Sequence, residues 1–485
     1  MNKRSILKTK AAGAPTCHRR GRFVWVVLLT AWVLPLTAPM AGAVEPLELR
    51  LEEAIDWALR DNRSIRDARL AIDSSEHGVI AARQAFAVKV RPLSSINYSS
   101  SDERDIAVWE VGGSVSRTFE TGVTAAVMPS VAKGDAGYDA DVGFSITVPL
   151  LRGLGREVVL DEVYTNEFAV AAARRQLHRQ RVDTVVETVA AVYGLVREEQ
   201  LIGLYRQQLE ELQRHLRVTA GKERIGLARS MDVYRVEIRI KETEDSLNLA
   251  RERADTMADQ LKTLLAVPLE QPLTVRAPLS YSLITIGLDE AVDVALEQRV
   301  EIRQGEADIA EARRKAQIAY HNIMPDLQLE AAYTRGGRID GDDYVSDYDE
   351  NLLNVTLSSS TDLARSTEKA KWQQSRIAVS RRQLQYAALT ESIVREVRRV
   401  LNALEKSAER MALRRQQIAQ ATGKFRLAQI KFRHGEADNF DLIESQGQVQ
   451  QARADLVTEE INYIINGYRL RAAIGTLLDG DGVAQ

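Results

Sequence analysis

Residues 49–66 read LRLEEAIDWALRDNRSIR, and residues 286–303 read IGLDEAVDVALEQRVEIR. Laid over one another at an offset of 237, Leu51, Glu53, Ala54, Ala58, Leu59, Ile65 and Arg66 meet Leu288, Glu290, Ala291, Ala295, Leu296, Ile302 and Arg303. A helix-like stretch that recurs so far along the chain predicts two copies of one structural plan. The recurrence continues downstream. ARRQL (173–177) returns as SRRQL (380–384), at an offset of 207, and Gly226 with Asp232 returns as Gly435 with Asp441, at an offset of 209. The shorter offsets place a longer insert in the first copy.

Proline marks the elements between these anchors, because in a helix interior it removes a hydrogen bond and costs about 3 kcal/mol. None lies between Pro149 and Pro268, and none follows Pro325. Those stretches carry seams spaced by three and four: Leu247, Ala250, Ala254, Met257, Leu261 and Leu264, then Val397, Leu401, Leu404, Ala408 and Met411. They predict long helices. One over residues 156–222 would run roughly 100 Å at about 1.5 Å per residue. The returning helix, about 231–266, is half as long, and with the helix at about 288–321 stacked on its end it would match the long one. The opening helix, about 49–90, is expected to end at Arg91-Pro92, since the residue before proline is pushed out of the helical region.

Between helices the pattern alternates. Val142, Phe144, Ile146 and Val148 point one way, and Gly143, Ser145 and Thr147 the other; Leu327, Leu329, Ala331 and Tyr333, then Leu353, Val355 and Leu357, repeat this in the second copy. These are strands with one apolar and one polar face, at about 93–150 and 326–358. The insert, 101–141, adds a hairpin turning at Glu120-Thr121-Gly122, so each chain has four strands or six.

The ends differ in composition. Residues 1–43 hold seven basic and no acidic residues, the apolar run FVWVVLLTAWVLPL, and Ala41-Gly42-Ala43. This predicts a signal peptide cleaved after Ala43 rather than an anchor, the run being short and broken by Pro35. Its removal takes the formal charge from −3 to −10, with 58 basic against 68 acidic residues, which argues against a nucleic-acid partner. It also removes the single cysteine, Cys17, so an exported chain is held by burial and assembly alone.

Gly153 and Gly155 follow a strand and precede a helix, but the third place of a dinucleotide fingerprint is Val158 and no βαβ unit follows. With Pro149 they are expected to bend the chain from strand to helix. Gly226 and Gly435 suit helix ends in a left-handed conformation, with Ser230 and Asn439 as caps of the returning helices. Asp441 and Glu444 share one helical face. His77, His178, His215, His321 and His434 form no metal-ligand spacing, and with no nucleophile elbow neither an enzyme nor a cofactor is expected. The acidic stretch 338–350 reads as a solvated loop.

The doubled plan, the exit Val148-Pro149-Leu150-Leu151 before a long helix, and the two Gly…Asp turns resemble the TolC-like outer membrane efflux proteins from about Leu47 to Leu478. The resemblance implies an α+β membrane protein, mostly α. In it a trimeric outer-membrane β-barrel is continuous with a long periplasmic α-helical barrel, built from two repeats at 44–285 and 286–478 with a tail at 479–485. It implies a passive exit duct for efflux or type I secretion, in contact with outer-membrane lipid and worked by an inner-membrane transporter through a periplasmic adaptor. The adaptor would meet the turns at Gly226, Leu227 and Ser230 and at Gly435, Glu436 and Asn439. Asp441 and Glu444, with Asp232 as the first-copy counterpart bracing the mouth, would form the pore constriction. Three features depart from the family. RDNRSI and EQRVEI stand where Asn-Pro is common, the second strand exit reads LSSSTDL without proline, and Phe432 lacks the hydroxyl that a Tyr-to-Asp latch needs. The rival reading is a periplasmic coiled-coil scaffold or adaptor without a channel.

Overall fold

Capping and close packing decide where each element stops, and they divide some of the predicted ones. A computed structural model describes residues 47–100, 105–134, 137–339, 347–434, 436 and 439–478; the predicted signal peptide, the tail from 479 and Gly435 lie outside them. The first half runs β1 (Leu47–Arg50), α1 (Leu51–Asp61), α2 (Arg63–Arg83), β2 (Lys89–Ser100), β3 (Asp105–Thr118), β4 (Thr124–Gly134), β5 (Gly137–Pro149), α3 (Arg156–Val159), α4 (Asp161–Arg224) and α5 (Ser230–Leu264). The second runs β6 (Leu273–Arg276), α6 (Leu288–Gln298), α7 (Val300–His321), β7 (Leu327–Ile339), β8 (Asp347–Ser359), α8 (Ser366–His434) and α9 (Asn439–Ala473).

The predicted opening helix is two helices. Asn62 leaves the helical region, and its Oδ1 accepts from the backbone of Ser64 (2.9 Å) and Ile65 (3.4 Å), which starts α2 anew. Its Nδ2 donates to the Leu264 carbonyl at 2.9 Å, tying the break to the end of α5. Arg299, at the matching place in the second half, separates α6 from α7 by the same extended backbone, but without a side-chain cap. The helix also ends at Arg83, not at Pro92, which lies inside β2. A proline is tolerated there because β2 is an edge strand with one free side. The long first-half helix is likewise interrupted at Leu160, leaving α4 with 64 residues, roughly 96 Å.

Packing corrects the expected stack of α5 on α7. Along α4, α2 packs near the strands and α5 beyond it; α7 and then α9 pack along α8, and α4 also meets both α7 and α9. Each chain therefore has four helical columns, with α2 above α5 and α7 above α9. Where the columns change over, Ile55, Ala58, Val189, Val192, Leu261, Leu265 and Ile461 form one dry core beneath the parallel pair β1–β6. Ala291, Ala295, Ile393, Val397, Leu404 and Tyr463 form a second under α6. Small residues of the recurring stretches, Ala54 and Ala58 with Ala291 and Ala295, are fully buried and let the backbones approach.

Apart from the β1–β6 pair, the strands among the described residues form one antiparallel sheet of six in the order β2-β3-β4-β5-β7-β8, and the extra hairpin lies inside it. The β3–β4 ladder is interrupted between Gly112–Ser130 and Val115–Val127. Pro129, which has no N–H to give, falls in that gap. Gly112, paired with the next residue Ser130, has no room for a side chain, since a Cβ there would meet the Pro129 carbonyl oxygen at 2.6 Å.

At the strand-to-helix handover Gly153 and Gly155 take φ of +82° and +106°. The β3–β4 turn packs on them: the Gly155 N–H donates to the Thr121 carbonyl at 3.4 Å, and Arg156 pairs with Glu120 at 3.0 Å. Gly122, at φ +95°, leaves no room for a side chain, because a Cβ would sit 2.5 Å from the Gly153 carbonyl oxygen. Gly122→Val is expected to cost about 1–3 kcal/mol or more and to lower the melting temperature of the purified protein, read by circular dichroism. The second exit is built differently: Thr361 Oγ1 accepts from the Asp326 N–H at 2.7 Å, and Arg365, at φ +49°, donates to the Ile323 carbonyl at 3.2 Å.

Candidate functional site

Two regions bear on function: the faces of the sheet and the far ends of the helices. In the sheet, residues opposite one another share a face. Val90, Val115, Val127, Phe144, Tyr333 and Leu353 form one row across all six strands. The next row, on the other face, is Lys89, Ser116, Ala126, Ser145, Ala332 and Asn354. The apolar side is bare: Val90 is 70% exposed, Phe144 48% and Leu353 69%. So continuous an apolar surface on a solvated sheet marks a face that another phase or partner covers.

Amphipathic residues frame that face. Trp109 meets Tyr138 edge to face at 5.9 Å, and Lys133 Nζ lies 5.0 Å over the Tyr138 ring. Eight residues along β5, Ile146 shares its row with Arg117, whose guanidinium lies 5.1 Å over Phe119. The two framing rows are about 27 Å apart along the strand. Among the described residues no helix is long and apolar enough to cross a membrane.

At the other end, α4 turns into α5 through Gly226, which takes φ +77°. Ile225, Leu227 and Met231 are exposed around it. Ser230 is the first residue of α5 rather than its cap; the carboxylate of Asp232 takes that part by accepting the Arg229 N–H at 3.2 Å, and it also faces Arg235 at 3.6 Å. Asp232 thus braces the start of α5. In the second hairpin the Glu436 N–H donates to the Lys431 carbonyl at 2.9 Å.

Asn439 does not cap α9 with its side chain. It is buried, and its Nδ2 donates to the Asp232 carbonyl of α5 at 3.2 Å while its Oδ1 bonds His215 Nε2 of α4. The Asp232 carbonyl can only accept, so Asn439 must turn its oxygen to His215; Nε2 therefore carries the hydrogen and Nδ1 is the atom that titrates. His215 also leans on Phe432 of α8, with ring centroids 5.8 Å apart, and Lys222 Nζ lies 4.1 Å over that ring. One imidazole thus joins α4, α8 and α9 and, through Asn439, α5. His215 was one of five scattered histidines beyond the predicted signal peptide; only the fold shows what it holds.

Burial pushes the His215 pKa below its ordinary value; the bond to Asn439 opposes this and Lys222 adds to it. Glu211, one turn away, is engaged by Gln446 Nε2 at 2.6 Å, and the Asp232 carboxylate is turned to Arg229 and Arg235. Above the ordinary histidine pKa both joined and parted states are neutral and pH has no effect. As pH falls through about 6.5 the parted, hydrated imidazole takes the proton first, so the joint weakens. Hydrogen exchange of the α9 start, corrected for intrinsic rate, is expected to rise between about pH 7.5 and 5. His215→Gln, which keeps a donor, should remove that dependence. His215→Ala should raise exchange at both pH values by leaving buried Asn439 short of a partner, at about 1–3 kcal/mol.

Asp441 and Glu444 both face outward along α9. Glu444 accepts from Gln448 at 2.9 Å and lies 3.7 Å from Lys424. It lines a groove of about 440 Å³ between α5 and α9, with Arg235, Arg239, Phe440 and Gly447. Among the described residues no three acidic, histidine or cysteine side chains stand close enough to hold a metal ion.

Residues 291–476 match the family model described as outer membrane efflux protein. Three solved structures share the fold over most of their length. The outer-membrane channel OprN matches at a TM-score of 0.70 and 16% identity, covering 88% of this chain and 90% of that one. The Campylobacter jejuni outer membrane channel CmeC matches at 0.70 and 13%, covering 88% and 86%. The Vibrio cholerae outer membrane protein VceC matches at 0.69 and 15%, covering 88% and 96%. A search of curated proteins finds no match.

Proposed function

We propose that this protein, whose residues 291–476 match the family model described as outer membrane efflux protein and whose fold is shared with outer-membrane channels, is a passive exit duct through the outer membrane, assembled as a homotrimer from two repeats per chain. The observation that carries the reading is the row from Val90 to Leu353, apolar across six strands and backed by a polar row. In hydrocarbon every backbone polar group must be paired, so a sheet crosses only as a closed barrel. One six-stranded sheet has two open edges, β2 and β8, which run in opposite directions and can pair between copies. The apolar face then meets outer-membrane lipid and the polar face lines the lumen.

The helices extend this lumen away from the membrane. The hairpin ends dock a periplasmic adaptor: the first through exposed Ile225, Leu227 and Met231 around Gly226 and Ser230, the second through the turn of Gly435 and Glu436, with buried Asn439 holding that turn in place from behind. An inner-membrane transporter supplies the energy through that adaptor. Asp441 and Glu444 line the constriction, with Asp232 bracing it. The test is the purified protein in planar bilayers. Heat-resistant trimers giving ion conductance support the duct; a monomeric, water-soluble protein without conductance sinks it and favours a periplasmic scaffold.

A further inference from the structure

From the six-stranded sheet we infer that the outer-membrane section is an eighteen-stranded barrel, wide enough that it does not filter cargo by size. The inference rests on the trimeric duct proposed above. Its observation is the position of the β3–β4 hairpin, which is paired on both sides, between β2 and β5, and is not appended to an edge. The hairpin's outer face carries Trp109, Val111, Val115, Val127 and Val131, in register with Ala140 and Phe144 of β5. Folded out of the sheet it would unpair both β2 and β5 and strip the apolar band of two strands' width.

Six is also an even number. Strands alternate in direction from β2 to β8, so β8 of one chain meets β2 of the next antiparallel, and three copies close without a parallel seam. At a strand spacing of about 4.8 Å and a tilt of about 40°, eighteen strands make a ring about 36 Å across, whereas the twelve left without the hairpin would make one about 24 Å across. Below it the four helical columns per chain make a ring of twelve, roughly 35 Å across at an axis spacing of about 9 Å. At that tilt the wide barrel continues the helical tunnel without a step, and a twelve-stranded one at the same tilt would narrow it by about a third.

After about 5 Å of side chain on each wall, the wide lumen is about 26 Å and the narrow one, at the same tilt, about 14 Å. The first admits a polypeptide folded as a helical hairpin; the second admits one helix, itself about 10–12 Å across. Selection by size then falls on the mouth at the far end of α4 and α8, and the cargo class includes bulky, partly folded chains.

Electron cryomicroscopy of the full trimer tests this directly, with a ring of eighteen strands expected. A twelve-stranded ring with β3 and β4 packed outside it would overturn the inference while leaving the duct intact; no closed ring at all would remove both. A second readout compares the full chain with a deletion of residues 101–136. Through the pairs Val90–Val115, Val115–Val127 and Val127–Phe144, the deletion lets β2 meet β5 in register with faces preserved. At an unchanged strand tilt, the largest neutral polymer that enters from the outer side should shrink in diameter by about 45% in the deletion variant. An unchanged limit would count against the hairpin as part of the wall.

Discussion

Phe144→Lys is expected to abolish accumulation of heat-resistant trimers in the outer membrane, whereas Ser145→Lys, one residue along the same strand, is expected to leave assembly near normal. Phe144 lies in the middle of the apolar rows, level with Val127 and Tyr333, and is half exposed. A lysine facing lipid at that depth costs about 2–4 kcal/mol, and a three-fold assembly incurs it three times. Ser145 lies between Ala126 and Ala332 on the polar face, where an ammonium meets lumen water. The measurement is the amount of unheated trimer in outer-membrane fractions. Normal assembly of Phe144→Lys together with loss of Ser145→Lys would mean that the faces are assigned the wrong way round.

Asp441→Ala combined with Glu444→Ala is expected to lower the cation-over-anion permeability ratio several-fold, read from the reversal potential in a salt gradient. Three chains would place six carboxylates at the constriction, where a narrow, low-dielectric wall strengthens their field. The structure sharpens the expectation. Glu444 lies 3.7 Å from Lys424, so its removal also leaves that ammonium uncompensated and pushes selectivity further toward anions. Asp232→Ala should do little to selectivity, because its carboxylate is occupied at the start of α5. A double variant with unchanged selectivity would remove Asp441 and Glu444 from the constriction.

Much of this architecture was legible locally. The alternation in Val142–Val148 foretold which side of β5 is apolar, because a strand's side chains alternate whatever its neighbours are. The proline-free stretches foretold α4 and α8 for a similar reason. Helix ends were less legible. Pro92 was read as a helix stop, but it sits on a free sheet edge, which no local pattern announces. Ser230 and Asn439 looked like caps by residue type. The competition for Asn439 was decided by His215, 224 residues away.

What the sequence alone determined is therefore the set of properties with a short period: the recurring stretch at 49–66 and 286–303, the faces of the strands, the length of the rods and the left-handed turn at Gly226. What only the tertiary structure decided is which surfaces meet. It placed α7 above α9 and α2 above α5, put the 105–134 hairpin inside the sheet, and gathered His215, Phe432, Asn439 and Asp232 into one joint. Periodicity records how a residue faces its own helix or strand. Pairing between distant segments depends on complementary shape and hydrogen-bond partners from both, and neither segment carries that information by itself.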